Sequence, residues 1–96
     1  MIVRCRKEPI VLGSKIMEFT KDKLYFTSCC SDGVYTIISD SGVCEKLHTL
    51  STIFELVRQD YFECLVNEWY DKKSNCTLFE YINMSERDYN NWLVSK

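Results

Sequence analysis

A chain of 96 residues with 46% apolar and 27% charged side chains is one globular domain, 1–96; it is too short for two cores and too apolar for disorder. A net charge of −2 gives no general attraction to nucleic acid or anionic lipid, and no stretch approaches the roughly 18 apolar residues of a membrane span. The opening MIVRCRKEPIVLG has no apolar signal core, so the expected location is the cytoplasm, where six cysteines stay as thiols.

Residues 1–6 alternate Met1, Val3 and Cys5 against Ile2, Arg4 and Arg6, which predicts a first strand with one face toward a core. Glu8-Pro9 and Gly13-Ser14 interrupt the chain, and Ile10-Val11-Leu12 between them is too short to assign. Strand character returns from Leu24 to Cys30. The turn Ser31-Asp32-Gly33 leads into a return strand, Val34 to Ser39, and Asp40-Ser41-Gly42 into a third, Val43 to Leu47. These three runs predict an antiparallel meander.

The period then changes. Leu50, Ile53, Phe54 and Val57 fall at i, i+3, i+4 and i+7, with Ser51 at the cap position, which predicts a short helix over 51–59. Residues 60–71 can be read two ways. As a helix they stripe Phe62, Leu65, Val66 and Trp69; as a strand they pair with CTLFEYIN (76–83) across the polar turn DKKSN. The β-formers in 76–83 favour a C-terminal hairpin. Ser85 followed by Glu86 and Asp88 predicts a last helix that buries Tyr89, Trp92 and Leu93. The expected fold is therefore α+β: a small antiparallel, β-barrel-like sheet with two short helices and a C-terminal hairpin.

Phe19-x-x-x-Lys23-x-Tyr25, then Gly33-x-Tyr35, Asp40-x-Gly42 and a short helix ending near Phe54 form a pattern over residues 19–57. It resembles the small SH3-like β-barrel accessory proteins encoded by bacteriophages. The resemblance implies an SH3-like core and a phage protein at work in a host cytoplasm, where such proteins bind and inhibit host enzymes or defence systems. It implies no catalytic residue.

The chemistry-bearing residues point to binding. Zinc needs paired ligands at short spacing, whereas Cys29 and Cys30 are adjacent and project to opposite faces of a strand. One of them with Cys44, His48 and Cys5 is the conceivable set, and burial of small apolar thiols is the stronger reading. Cys44 and His48 on one strand lie roughly 13 Å apart, too far for a nucleophile and its base. No glycine-rich phosphate loop or serine elbow is present, so no enzymatic activity and no cofactor are expected.

For nucleic acid, Lys21, Lys23 and Tyr25, joined by Arg4 from the first strand, form a minor basic-aromatic group. The competing reading puts the aromatic ring in the core. The second half of the chain, residues 49–96, carries eight acidic residues against five basic ones, and its aromatics are interleaved with those acids. Trp69 and Tyr70 as anchors, with Glu63, Glu68 and Asp71 as a rim that steers a basic surface, make a candidate protein-binding site. The expected function is a non-enzymatic protein-interaction module. A nucleic-acid-binding module and a small zinc protein are the alternatives, and exposed strand edges also permit a homodimer.

Overall fold

In a computed structural model, which describes residues 1–7, 10–12, 15–29, 33–48, 53–72 and 75–95, the alternating start of the chain forms strand β1 (Ile2–Cys5). Both Ile2 and Val3 are buried. Adjacent residues of a strand point to opposite faces, so β1 lies in the middle of a sheet covered on both sides. A separate two-stranded ribbon follows, with β2 (Ile10–Leu12) antiparallel to β3 (Lys15–Met17).

The predicted meander forms as β4 (Leu24–Cys29), β5 (Tyr35–Ile38) and β6 (Cys44–Leu47), each antiparallel to the next. Of the first turn, Ser31 and Asp32, like Cys30 before them, lie outside the described residues; Gly33 takes a positive φ of 82°. In the second, Gly42 has φ 89° and its N–H donates to the Ser39 carbonyl at 2.9 Å, a geometry that a side chain would strain.

Of the predicted helix at 51–59, the described residues 53–57 are not helical. Leu50 and Ser51 lie outside the described residues, and Phe54–Val57 is strand β7, paired antiparallel with β1 as Val57 opposite Ile2 and Phe54 opposite Cys5. The i, i+3 spacing of Phe54 and Val57 suits a helix face. It suits equally a strand with both faces buried, because the two residues then enter different cores. Phe54 packs with Val3, Cys5, Phe19 and Tyr25, whereas Val57 packs with Ile2, Leu24 and Phe62.

The hairpin predicted from residues 60–71 and 76–83 is also overturned. Residues 59–72 are helix α1 (Gln59–Lys72), 78–82 are helix α2 (Leu78–Ile82), and α3 (Glu86–Ser95) follows. Phe62, Leu65, Val66 and Trp69 form one helical stripe that packs against a core containing Ile2, Leu24 and Val57. Packing of this stripe, with Phe62 and Val66 buried and Leu65 and Trp69 partly so, outweighs the β-propensity of the following segment. In that segment Thr77 caps α2, accepting the Glu80 N–H at 3.1 Å, and Leu78 and Ile82 are buried one turn apart.

Asn83 ends α2 in the left-handed region at φ 56°. Its side-chain amide donates to the Asp22 carbonyl at 3.0 Å, while its own carbonyl accepts the Leu24 N–H at 2.8 Å. One residue thus terminates the helix and fastens it to the sheet. Asn83→Ala is expected to cost about 1–2 kcal/mol, the left-handed penalty of a β-carbon plus a lost hydrogen bond. Asn83→Gly should cost less because it keeps the backbone geometry, and chemical denaturation of the pair checks the order.

The sheet order is β6-β5-β4-β1-β7. Among the described residues the fold is α+β, a five-stranded antiparallel sheet with three helices, and the sheet is not closed: β6 and β7 are its two edges. One core, under the helices, gathers Phe62, Ile82, Met84 and Trp92 onto Ile2 and Leu24. The other gathers Phe19, Tyr25, Ile37, Leu47 and Phe54 on the opposite face, with the Phe19 ring edge-on to both Tyr25 and Phe54 at 5.1 Å.

Candidate interaction face

Helix α1 positions all five residues of the acidic-aromatic group and distributes them around its circumference. A helix turns 100° per residue, so Glu63 and Tyr70, seven apart, share a flank, whereas Glu68 and Tyr70 lie on opposite sides. Trp69 is half-buried against the helical core, and its indole N–H donates to the Cys76 carbonyl at 2.9 Å. Tyr70 is 58% exposed and stands edge-on to Trp69 with ring centroids 5.0 Å apart. The indole is fixed by packing and by its hydrogen bond, and it props the tyrosine outward.

Glu68 serves the other flank. It accepts from the Tyr81 hydroxyl and from Lys72 Nζ at 2.9 Å, and these bonds, Tyr81's first, hold its carboxyl below the ordinary glutamate range. Glu68 thereby ties α1 to α2. Asp71 is exposed beside Tyr70. Glu63 accepts from Gln59 Nε2 at 3.3 Å and lines a groove of about 280 Å³ between α1 and α3, with Val66, Asn67, Tyr89, Trp92 and Leu93. Burial, and after it the phenol of Tyr70, pushes the Tyr89 hydroxyl above the usual tyrosine range.

The structure therefore sets Glu63 against α3 across the groove, with Tyr70 exposed on the same flank of α1, and it sets Glu68 apart. Tyr89 and Leu93 join the face although the sequence pattern assigns them to the core: Trp92 is buried, Tyr89 is half-buried and Leu93 is 43% exposed. The available signal was an apolar run too wide for a ten-residue helix to bury, Tyr89, Trp92, Leu93 and Val94.

The basic-aromatic group is arranged differently. Tyr25 is only 1% exposed and offers no ring face for a base to stack on. Its hydroxyl accepts the Thr20 N–H and donates to Asp40, both at 2.8 Å. Lys23 Nζ lies 2.8 Å from the same Asp40, and Thr20 Oγ1 donates to it at 2.6 Å. Lys23 and Tyr25 thus form one network with Asp40, which is distant from them in the chain. Arg4 pairs with Glu55 at 2.9 Å, and Lys21 is exposed.

Among the thiols, Cys5 is buried and donates to the Lys7 carbonyl at 2.9 Å, while Cys29, Cys44 and Cys64 are exposed. His48 is exposed, Cys30 lies outside the described residues, and no three Cys, His, Asp or Glu side chains converge as a metal would need among the described residues. No helix among them is long and apolar enough to cross a membrane.

Comparison with protein-family models, with curated proteins and with solved structures finds no match to this chain.

Proposed function

We propose that this chain is a non-enzymatic protein-interaction module whose contact face is the groove between α1 and α3, and that its partner presents a basic segment with an apolar anchor. Tyr70 carries the proposal. A tyrosine propped outward by a fixed tryptophan offers large, rigid contact area at little entropic cost, as interface anchors do. On the same flank of α1, Tyr89 and Leu93 supply the apolar wall of the groove and Glu63 its negative charge, and Asp71 is exposed next to Tyr70. No lysine or arginine lines the groove among the described residues, so the charge there is complementary to a cationic partner.

On the resemblance of residues 19–57 to SH3-like phage accessory proteins, the partner is a host enzyme or defence complex, and the effect on it is inhibition. The network joining Lys23, Tyr25 and Asp40 fits this reading by giving the Lys-x-Tyr and Asp-x-Gly elements a shared structural role.

The test is parallel capture from a bacterial lysate on the wild-type chain, Tyr70→Ala and Glu63→Lys, followed by titration of whatever protein the wild type retains. Tyr70→Ala is expected to weaken that complex about 10- to 100-fold, the range of an aromatic hot spot. Glu63→Lys should slow association and flatten its salt dependence. A partner held with equal affinity by all three chains would remove the groove from consideration.

A further inference from the structure

Among the described residues, strand β7 is hydrogen-bonded on one side only. The Arg6 N–H donates to the Ile53 carbonyl at 2.8 Å, and antiparallel pairing alternates, so Ile53, Glu55 and Val57 direct their backbone groups at β1. Phe54 and Leu56 then direct theirs outward, and no described residue pairs with them. Leu56 is also 66% exposed, a large apolar side chain on an open edge. Alongside runs an open groove of about 470 Å³, with Tyr61 and Cys64 of α1 as its far wall.

The charges beside this edge come in equal numbers and are already matched. Arg4 pairs with Glu55 at 2.9 Å and Arg58 with Asp60 at 2.7 Å. Such a rim selects neither a cationic nor an anionic partner; it suits a surface of its own composition.

We infer that a second copy of this chain occupies the edge, the two β7 strands pairing antiparallel about a two-fold axis at Leu56. Hydrogen-bonding alternation requires outward residues to face outward residues, which leaves few symmetric registers. Centring on Glu55 sets two carboxylates against each other, and centring on Val57 runs the pairing into α1. Centring on Leu56 places the two exposed leucines opposite one another, with Phe54 facing Arg58 and Glu55 facing Val57 of the other copy. The axis is perpendicular to the sheet, so it continues as ten strands with both helical layers on one face. Tyr61 and Cys64 of each copy then line the seam, on the other flank of α1 from Glu63 and Tyr70, and the proposed partner groove stays open.

Light scattering and sedimentation of the full chain across a concentration series test this. The wild type should associate to a dimer, and Leu56→Lys should raise the dissociation constant about tenfold or more by setting two like charges in apposition. Circular dichroism verifies that the variant is folded. In a Cys64→Ser background, Leu56→Cys should form a disulfide-linked dimer on mild oxidation, because directly opposed hydrogen-bonded residues have Cα atoms about 5.5 Å apart, within disulfide reach. Cys64→Ser alone should not. A monomer at every concentration, a dimer indifferent to Leu56→Lys, or a dimer in which Leu56→Cys stays reduced would each overturn the inference.

Discussion

Asp40→Ala is expected to be the most damaging single substitution described here, lowering stability by about 2–4 kcal/mol. Asp40 accepts from Lys23 Nζ, the Tyr25 hydroxyl and Thr20 Oγ1, and its own N–H donates to the Glu18 carbonyl at 2.8 Å. It therefore pins the β5–β6 turn to the segment that leads into β4. Without the carboxylate, the phenol of the buried Tyr25 loses its acceptor and Lys23 its counter-charge. The Asp40 and Lys23 side chains are 27% and 24% exposed, so water reaches the pair only partly and screens it less than a surface bridge.

A pH signature accompanies this loss. Burial acts to raise the Asp40 carboxyl, but the bonds from Lys23, Thr20 and Tyr25, with the lysine charge, outweigh it and hold the group below the usual aspartate range. A depressed folded pKa contributes stability that is fully present above the unfolded value of about 3.9 and is lost as pH falls through the folded one. Denaturation of wild type and Asp40→Ala should therefore differ most at neutral pH and converge in strong acid. A neutral-pH difference below about 1 kcal/mol would reduce the network to an ordinary surface bridge.

Asp88→Asn is expected to act in the opposite direction, stabilising the protein by about 1–3 kcal/mol at neutral pH. Asp88 is 1% exposed, neither carboxylate oxygen has a hydrogen bond of good geometry, and Arg87 Nε lies 3.9 Å from Oδ1. Burial pushes the carboxyl up; the Arg87 charge, the neighbouring Ser85 side chain and Phe26 backbone, and Lys23 oppose this without cancelling it. Its place in the first turn of α3, where the helix dipole favours an anion, also leaves burial the larger effect.

With a raised folded pKa, the wild type is most favoured while Asp88 is protonated, below the unfolded value, and loses that stability as pH rises through the folded one. The advantage of asparagine should accordingly be greatest at neutral pH and vanish below about pH 4. Asparagine keeps the size of the side chain and leaves untouched the Asp88 N–H bond to Ser85 Oγ at 3.2 Å, so helix capping does not confuse the comparison. An unchanged or lower Tm at neutral pH would mean that Arg87 compensates the charge after all.

Local features legible in the residues alone came through wherever a short-range rule had no competitor. Turn glycines and β-branched runs specify the meander β4–β5–β6, because positive φ and strand propensity act within a few residues. Ser85 and the acids after it specify the start of α3 in the same way. Where one pattern served two structures, only packing decided. Phe54 and Val57 carry helical spacing, yet they became strand because β1 had an edge to pair and two cores to fill. Phe62, Leu65, Val66 and Trp69 could have been strand, yet they became helix because one buried stripe closes the core over Ile2 and Leu24.

The candidate face divides along the same line. Composition marked the second half of the chain as acidic and aromatic, and that much belongs to the sequence. The positions of the rings were a matter of tertiary structure. Trp69 turns inward and Tyr70 outward because they stand 100° apart on a helix with one buried side, and Tyr89 and Leu93 line a groove with Glu63 because α3 packs beside α1. Burial is a property of the assembled layers, and no local pattern carries that information.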